Sequence, residues 1–169
     1  MAFILRLLRL LGMVVWVGGL VFFAFVEAPT AFHVMGTNQQ FALLIGDSIS
    51  GLNRLGHMAG LVFLLATVVL WTRSTTLARK LLPVEIGLVV LMIGATIYVQ
   101  QSIIPAMERD RAAVGGDITS VTESNPARAD FDRLHPLSEK MEGSALLLGL
   151  GVIALMAFEE SSARQTQRA

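Results

Sequence analysis

The chain has 169 residues, 54% of them apolar, with 13 basic residues balanced by 13 acidic ones and no cysteine. Zero net charge gives no footing for nucleic-acid binding, and the lack of cysteine excludes disulfides, thiolate metal sites and thiol nucleophiles. Mean hydropathy is +0.65, and four stretches (10–26, 55–72, 86–107 and 143–158) contain no Asp, Glu, Lys or Arg, which points to a lipid bilayer as solvent.

In lipid every backbone amide must find its partner within its own segment, so each uncharged stretch is expected to be helical. At about 1.5 Å per residue the shortest covers roughly 24 Å, and flanking residues complete a core of about 30 Å. The expected fold is an all-α integral membrane four-helix bundle. It forms one domain over 1–169, with spans near 7–32, 55–73, 83–107 and 135–158.

Span one opens with Arg6 and Arg9 ahead of its apolar run. Val26-Glu27-Ala28 imitates a signal-peptidase site, but Pro29 follows it and the run exceeds a usual signal core, so a retained span is expected. Gly12, Gly18 and Gly19 permit close helix approach, Trp16 lies too deep for an interfacial belt, and Pro29 should kink or end the helix. Over 36–53, Phe41, Leu44, Ile45, Ile49 and Leu52 recur at helical spacing. A short amphipathic helix is expected there, lying on the membrane or the bundle. Span two carries the small-xxx-small pair Gly56 and Gly60 and ends at Trp71. The short turn 73–82 makes spans two and three antiparallel neighbours, with Pro83 suited to a first helical turn.

Span three carries Gly87 and Gly94, then turns polar at Tyr98, Gln100, Gln101 and Ser102 before Pro105 and Glu108. Residues 112–127 are rich in Gly, Ser, Thr and Asp and read as a mobile connection. A helix restarts near Arg128 with Phe131, Leu134, Leu137 and Met141 on one face, and runs into span four with a bend at Pro136. An internal repeat is suggested by Pro29 and Pro105 with Glu27 and Glu108 nearby. Asn53-Arg54-Leu55 with His57 likewise matches Asp132-Arg133-Leu134 with His135. Two similar hairpins related by an axis along the membrane normal would produce this pattern.

An even number of spans puts both termini on one side. Arg73, Arg79 and Lys80 in the short 73–82 turn, with no acid among 73–82, assign that side to the cytoplasm of an inner-membrane protein. His33, His57 and His135 then share the outer ends of the spans and are the candidate metal ligands. Met35, Met58, Met107 and Met141 lie at the same level, and imidazole with thioether suits copper; haem between helices is the other cofactor compatible with histidine. The plain alternative is histidines bonded to neighbours or headgroups and methionines filling the core. Glu27 and Glu142 border uncharged runs and need partners, for which Arg54 and Arg133 are the candidates. The functional alternative is a polar ligand pocket at the outer mouth, drawn from Glu27, Gln101, Glu108, Arg54, Arg133 and Ser138 with His57 and His135. There is no phosphate-binding loop, nucleophile elbow or zinc-protease helix, so no enzyme is expected.

Trp16-Val-Gly-Gly-Leu-Val-Phe-Phe-Ala-Phe through Glu27-Ala-Pro29, Ile104-Pro105-Ala-Met-Glu108 with Arg111, and Phe131-Asp-Arg-Leu-His135-Pro-Leu-Ser138 together resemble the transmembrane protein 205-like family. That resemblance implies four membrane spans. A eukaryotic member's association with platinum-drug resistance is consistent with soft-metal handling, while the bacterial branch, a domain of unknown function, has no assigned activity. The chain is more loosely similar to the membrane domains of copper-resistance proteins, but it lacks their paired-histidine or Met-rich motifs. Two functional readings follow: a membrane protein binding a metal or small ligand at its outer mouth, or a structural subunit packing against other membrane subunits or itself. The lipid bilayer is the partner common to both.

Overall fold

The computed structural model describes the backbone of residues 1–36, 39–73 and 78–168, and the side chains of 1–36, 39–73 and 80–162. Four rods make the bundle. The first is α1 (Ala2–Phe22) continued by α2 (Ala28–Met35), and the second is α3 (Gln39–Arg73). The third is α4 (Ala78–Tyr98) continued by α5 (Ile104–Ala113), and the fourth is α6 (Pro126–Arg168). Each rod contains a helix long and apolar enough to cross a membrane, and the described residues contain no strand. The fold is thus an all-α four-helix bundle, as expected.

Inside rods one and three the helix widens to a π turn, over Phe23–Glu27 and Val99–Ile103. The N–H of Ala28 reaches Phe23 O and that of Ile104 reaches Val99 O, each spanning five residues instead of four. Proline follows one residue later in both rods, as Pro29 and Pro105. A proline ring clashes with the carbonyl four residues back and donates no hydrogen bond, and one wide turn relieves both problems without breaking the rod.

Helices α3 and α6 are longer than the spans read from the sequence. The separate amphipathic helix expected over 36–53 is instead the first half of α3, continuous with span two from Gln39. No Pro lies within α3 to stop it, and from Ile49 onward its buried face (Ile49, Asn53, Gly56, Gly60, Phe63, Thr67, Leu70) holds one stripe. Helix α6 likewise passes Pro136 without ending. The 112–127 connection is folded back rather than loose. Gly115 and Gly116 turn the chain at φ 82° and 102°, Ile118 is buried, and Arg128 Nη1 donates to Val121 O at 2.7 Å. Asp117 Oδ1 accepts from Thr119 N (2.9 Å) and Oγ1 (2.7 Å), which holds its carboxyl below the usual carboxylate range.

Helix α1 packs chiefly on α3, and α4 on α6; the two hairpins meet through α3–α4 and α1–α6. Their buried faces match position by position. Arg9, Met13, Trp16 and Leu20 of α1 correspond to Glu85, Val89, Met92 and Thr96 of α4, a shift of 76 that also superposes the π turns and the prolines. Asn53, Gly56, Gly60 and Phe63 of α3 correspond to Glu142, Ala145, Gly149 and Val152 of α6, a shift of 89. In each hairpin a large side chain lies against the matching glycine. The Trp16 indole covers Gly56 and Gly60, while Met92 lies 3.0 Å from where a Cβ would sit on Gly149. The likeness between Asn53-Arg54-Leu55 and Asp132-Arg133-Leu134 is out of this register, since Asn53 stands opposite Glu142, not Asp132. Gly12 and Gly19 serve the close approach expected of them, against Ala59 and Leu52, whereas Gly18, Gly87 and Gly94 face open space.

Candidate functional site

Residues beside a two-fold axis meet their own counterparts. Two polar pairs do so here, one toward each end of the bundle. At the end carrying both termini, Arg9 Nη2 bonds its counterpart Glu85, and Arg9 Nη1 reaches Glu159 of α6 at 3.1 Å. All three are buried, and the Arg9 guanidinium also lies over the Phe63 ring, 5.4 Å from its centroid, so α1, α3, α4 and α6 are joined at one side chain. In the sequence Arg9 stands simply ahead of the apolar run of span one, and neither Glu85 nor Glu159 stands out. Their spacing was the available signal, because Arg9, Glu85 and Glu159 each continue the buried stripe of their own helix.

Toward the opposite, distal end, Asn53 Nδ2 donates to its counterpart Glu142 Oε1 at 2.7 Å. Nearby, His57 Nε2 shares a hydrogen bond with Thr96 Oγ1 at 2.8 Å and meets Trp16 edge-on, and Gln100 Nε2 donates to Ser50 Oγ at 3.0 Å. Trp16 Nε1, Asn53 Oδ1 and Glu142 Oε2 are buried with no hydrogen-bond partner among the described residues.

Glu142 also lines a cleft of about 460 Å³ that opens between α3, α5 and α6 at the distal end. Its apolar lining includes Phe23, Phe41, Ile49, Val99, Ile104 and Met107. Its polar lining is Gln39, Asp47, Glu108, Arg111, His135, Ser138, Glu139 and Glu142. The volume falls in the range of small-molecule sites, as does the mixture of an apolar lining with a few polar groups. The Arg111 guanidinium lies 4.8 Å from the Phe131 ring centroid.

Of the residues singled out from sequence, Met107, Glu108, His135, Ser138 and Glu142 line this cleft. Ser138 Oγ donates to His135 O at 2.7 Å, and His135 itself stacks on Phe131 with Nε2 3.4 Å from Glu139. Glu27 is half-buried in the first π turn, and Gln101 is exposed in the second. The arginine clamps read from sequence do not form. Helix α3 turns Asn53 inward and therefore Arg54 outward, and Arg133 is exposed and paired with Asp130 of its own helix. His33 is exposed, and His57 belongs to the Trp16–Thr96 contact rather than to His135. Among the described residues no three His, Asp or Glu side chains are grouped to hold a metal ion.

Four apolar rods with polar pairs between them and a cleft toward each end define a multi-pass membrane protein. The chain belongs to the family described as Domain of unknown function (DUF4149), whose model matches residues 11–113. That segment takes in α1 from its third turn through α5, so Trp16, Asn53, Gly60, Glu85 and Glu108 lie within it, while Arg9 and all of α6 lie outside. A search of curated proteins finds no match, and neither does a search of solved structures.

Proposed function

We propose that this protein is a nonenzymatic inner-membrane protein that binds a small organic ligand in its distal cleft, with both termini in the cytoplasm. The observation that carries the reading is the cleft itself. It has about 460 Å³ of space beside a mostly apolar lining, at the junction of two matching hairpins. Membrane proteins built from internal repeats commonly hold their ligands at such a junction. The Arg73–Lys80 basic cluster supports cytoplasmic termini, and the motif resemblance to transmembrane protein 205-like proteins supports the four-span arrangement.

Ala42 lines the cleft and is half-buried, so Ala42→Trp should fill it without touching the glycine-mediated packing. A neutral naphthylamine dye should bind saturably to the intact chain in nanodiscs, at one site per chain, and Ala42→Trp should weaken that binding at least tenfold. Non-saturable partitioning that is the same in both proteins would reject the cleft as a binding site.

A further inference from the structure

We infer that the ligand of the distal cleft is an amphipathic organic cation, and that Glu142 is its counter-charge; this rests on the cleft being a binding site. Four carboxylates line the cleft (Asp47, Glu108, Glu139 and Glu142) against one guanidinium, Arg111. Arg111 already lies over the Phe131 ring, at 4.8 Å. The surplus is therefore negative, beside an apolar lining that includes Phe23 and Phe41. Aromatic faces attract cations as well as burying apolar groups, and the attraction for the cation strengthens where water is excluded.

Glu142 differs from the other three acids. Asp47, Glu108 and Glu139 are exposed, whereas Glu142 is set into the bundle with Oε1 held by Asn53 at 2.7 Å and Oε2 buried without a partner among the described residues. The two arginines that could have neutralised it point elsewhere: Arg54 is exposed and Arg133 pairs with Asp130. An ionised carboxylate at this depth requires a positive partner. Asn53 is fully buried and fixes the carboxylate by one oxygen; the other is enclosed in the cleft wall, so a cation in the cleft would act on the carboxylate through space rather than by direct hydrogen bonding. A compact hydrated ion would gain nothing from the apolar lining. A hydrophobic cation satisfies the lining and the carboxylate together.

The test uses three probes of similar shape and different charge on the whole chain in nanodiscs of neutral lipid, each read by equilibrium dialysis. They are tetraphenylphosphonium, triphenylphosphine oxide and tetraphenylborate. Tetraphenylphosphonium should bind saturably and at least tenfold more tightly than the neutral oxide, and tetraphenylborate should not bind. Glu142→Gln keeps an oxygen for Asn53 to bond and should erase the preference for the cation while leaving the oxide unchanged; Ala42→Trp should abolish both. Oxide binding that is sensitive to Ala42→Trp, with no preference for the cation, would overturn the charge assignment and leave the cleft standing. A cation preference untouched by Glu142→Gln would overturn the role of Glu142. If no probe binds, or Ala42→Trp changes nothing, the cleft reading falls as well. The wild-type charge series needs no variant, so misfolding cannot mask the answer.

Discussion

Arg9 shows how far one side chain can organise a membrane bundle. Burying a guanidinium and two carboxylates is costly, and the cost is offset only while all three remain together. Replacing Arg9 alone by Met leaves Glu85 and Glu159 facing each other in a site with no other cation bonded to them among the described residues. That variant should lose roughly 3–5 kcal/mol of stability, read by denaturant titration in mixed micelles. Adding Glu85→Gln and Glu159→Gln should recover most of the loss, because three neutral groups of similar size then fill the same space. At the other pair, Asn53→Ala removes the only hydrogen bond Glu142 makes among the described residues and should cost roughly 1–3 kcal/mol. An Asn53→Ala variant as stable as the parent would show that the pair carries no net stabilisation. The acids and histidines of the distal end were visible in the sequence as residue types, but their partners were not. One step along a helix turns a side chain by about 100°, and that step separates buried Asn53 from exposed Arg54.

At the scale of the helices, the glycines divide by what they touch rather than by their spacing. Gly60 accepts Trp16, and Gly149 accepts Val17 of the other hairpin together with Met92; a branched side chain at either would push them out. Gly60→Val and Gly149→Val should each destabilise by roughly 1–3 kcal/mol. Gly87→Ala and Gly94→Ala, with open space at the Cβ, should be neutral or slightly stabilising through helix propensity. Equal effects at all four sites would contradict the packing described here. Four apolar rods were legible from uncharged runs alone, because lipid leaves a lone segment no alternative to helix. The ends of the rods were less legible. An amphipathic first half such as 39–53 looks like a connection when its hydropathy is averaged, and only the buried stripe that starts at Ile49 and passes through Asn53 into Gly56 shows that it continues span two. The proline positions signalled a disturbance, yet nothing local distinguishes a helix end from a π turn that carries the rod onward.

For the whole molecule, the matched hairpins imply that each half carries its own packing and that polar pairs set their relative placement. Residues 1–74 and 77–169, produced as separate chains in one cell, should therefore co-purify as a four-span particle. Arg9→Met should weaken their association more than Gly87→Ala. Recovery of the halves only as separate species would reject this division. Topology can be read with a single thiol, since the chain has no cysteine of its own. Ser138→Cys should react with a membrane-impermeant maleimide in intact cells, and reaction only after permeabilisation would reverse the assigned orientation. The sequence contained the repeat in the two prolines, but its register in the second helices could be found only from which residues are buried. The same geometry gives the molecule an optical gauge. Of its two tryptophans, Trp71 is 40% exposed at one extremity, and Trp16 is wholly enclosed at the seam of the first hairpin. With Trp71 replaced by Phe, emission comes from the enclosed indole alone. It should be blue and unreachable by iodide while α1 and α3 stay closed, and should redden as soon as they part.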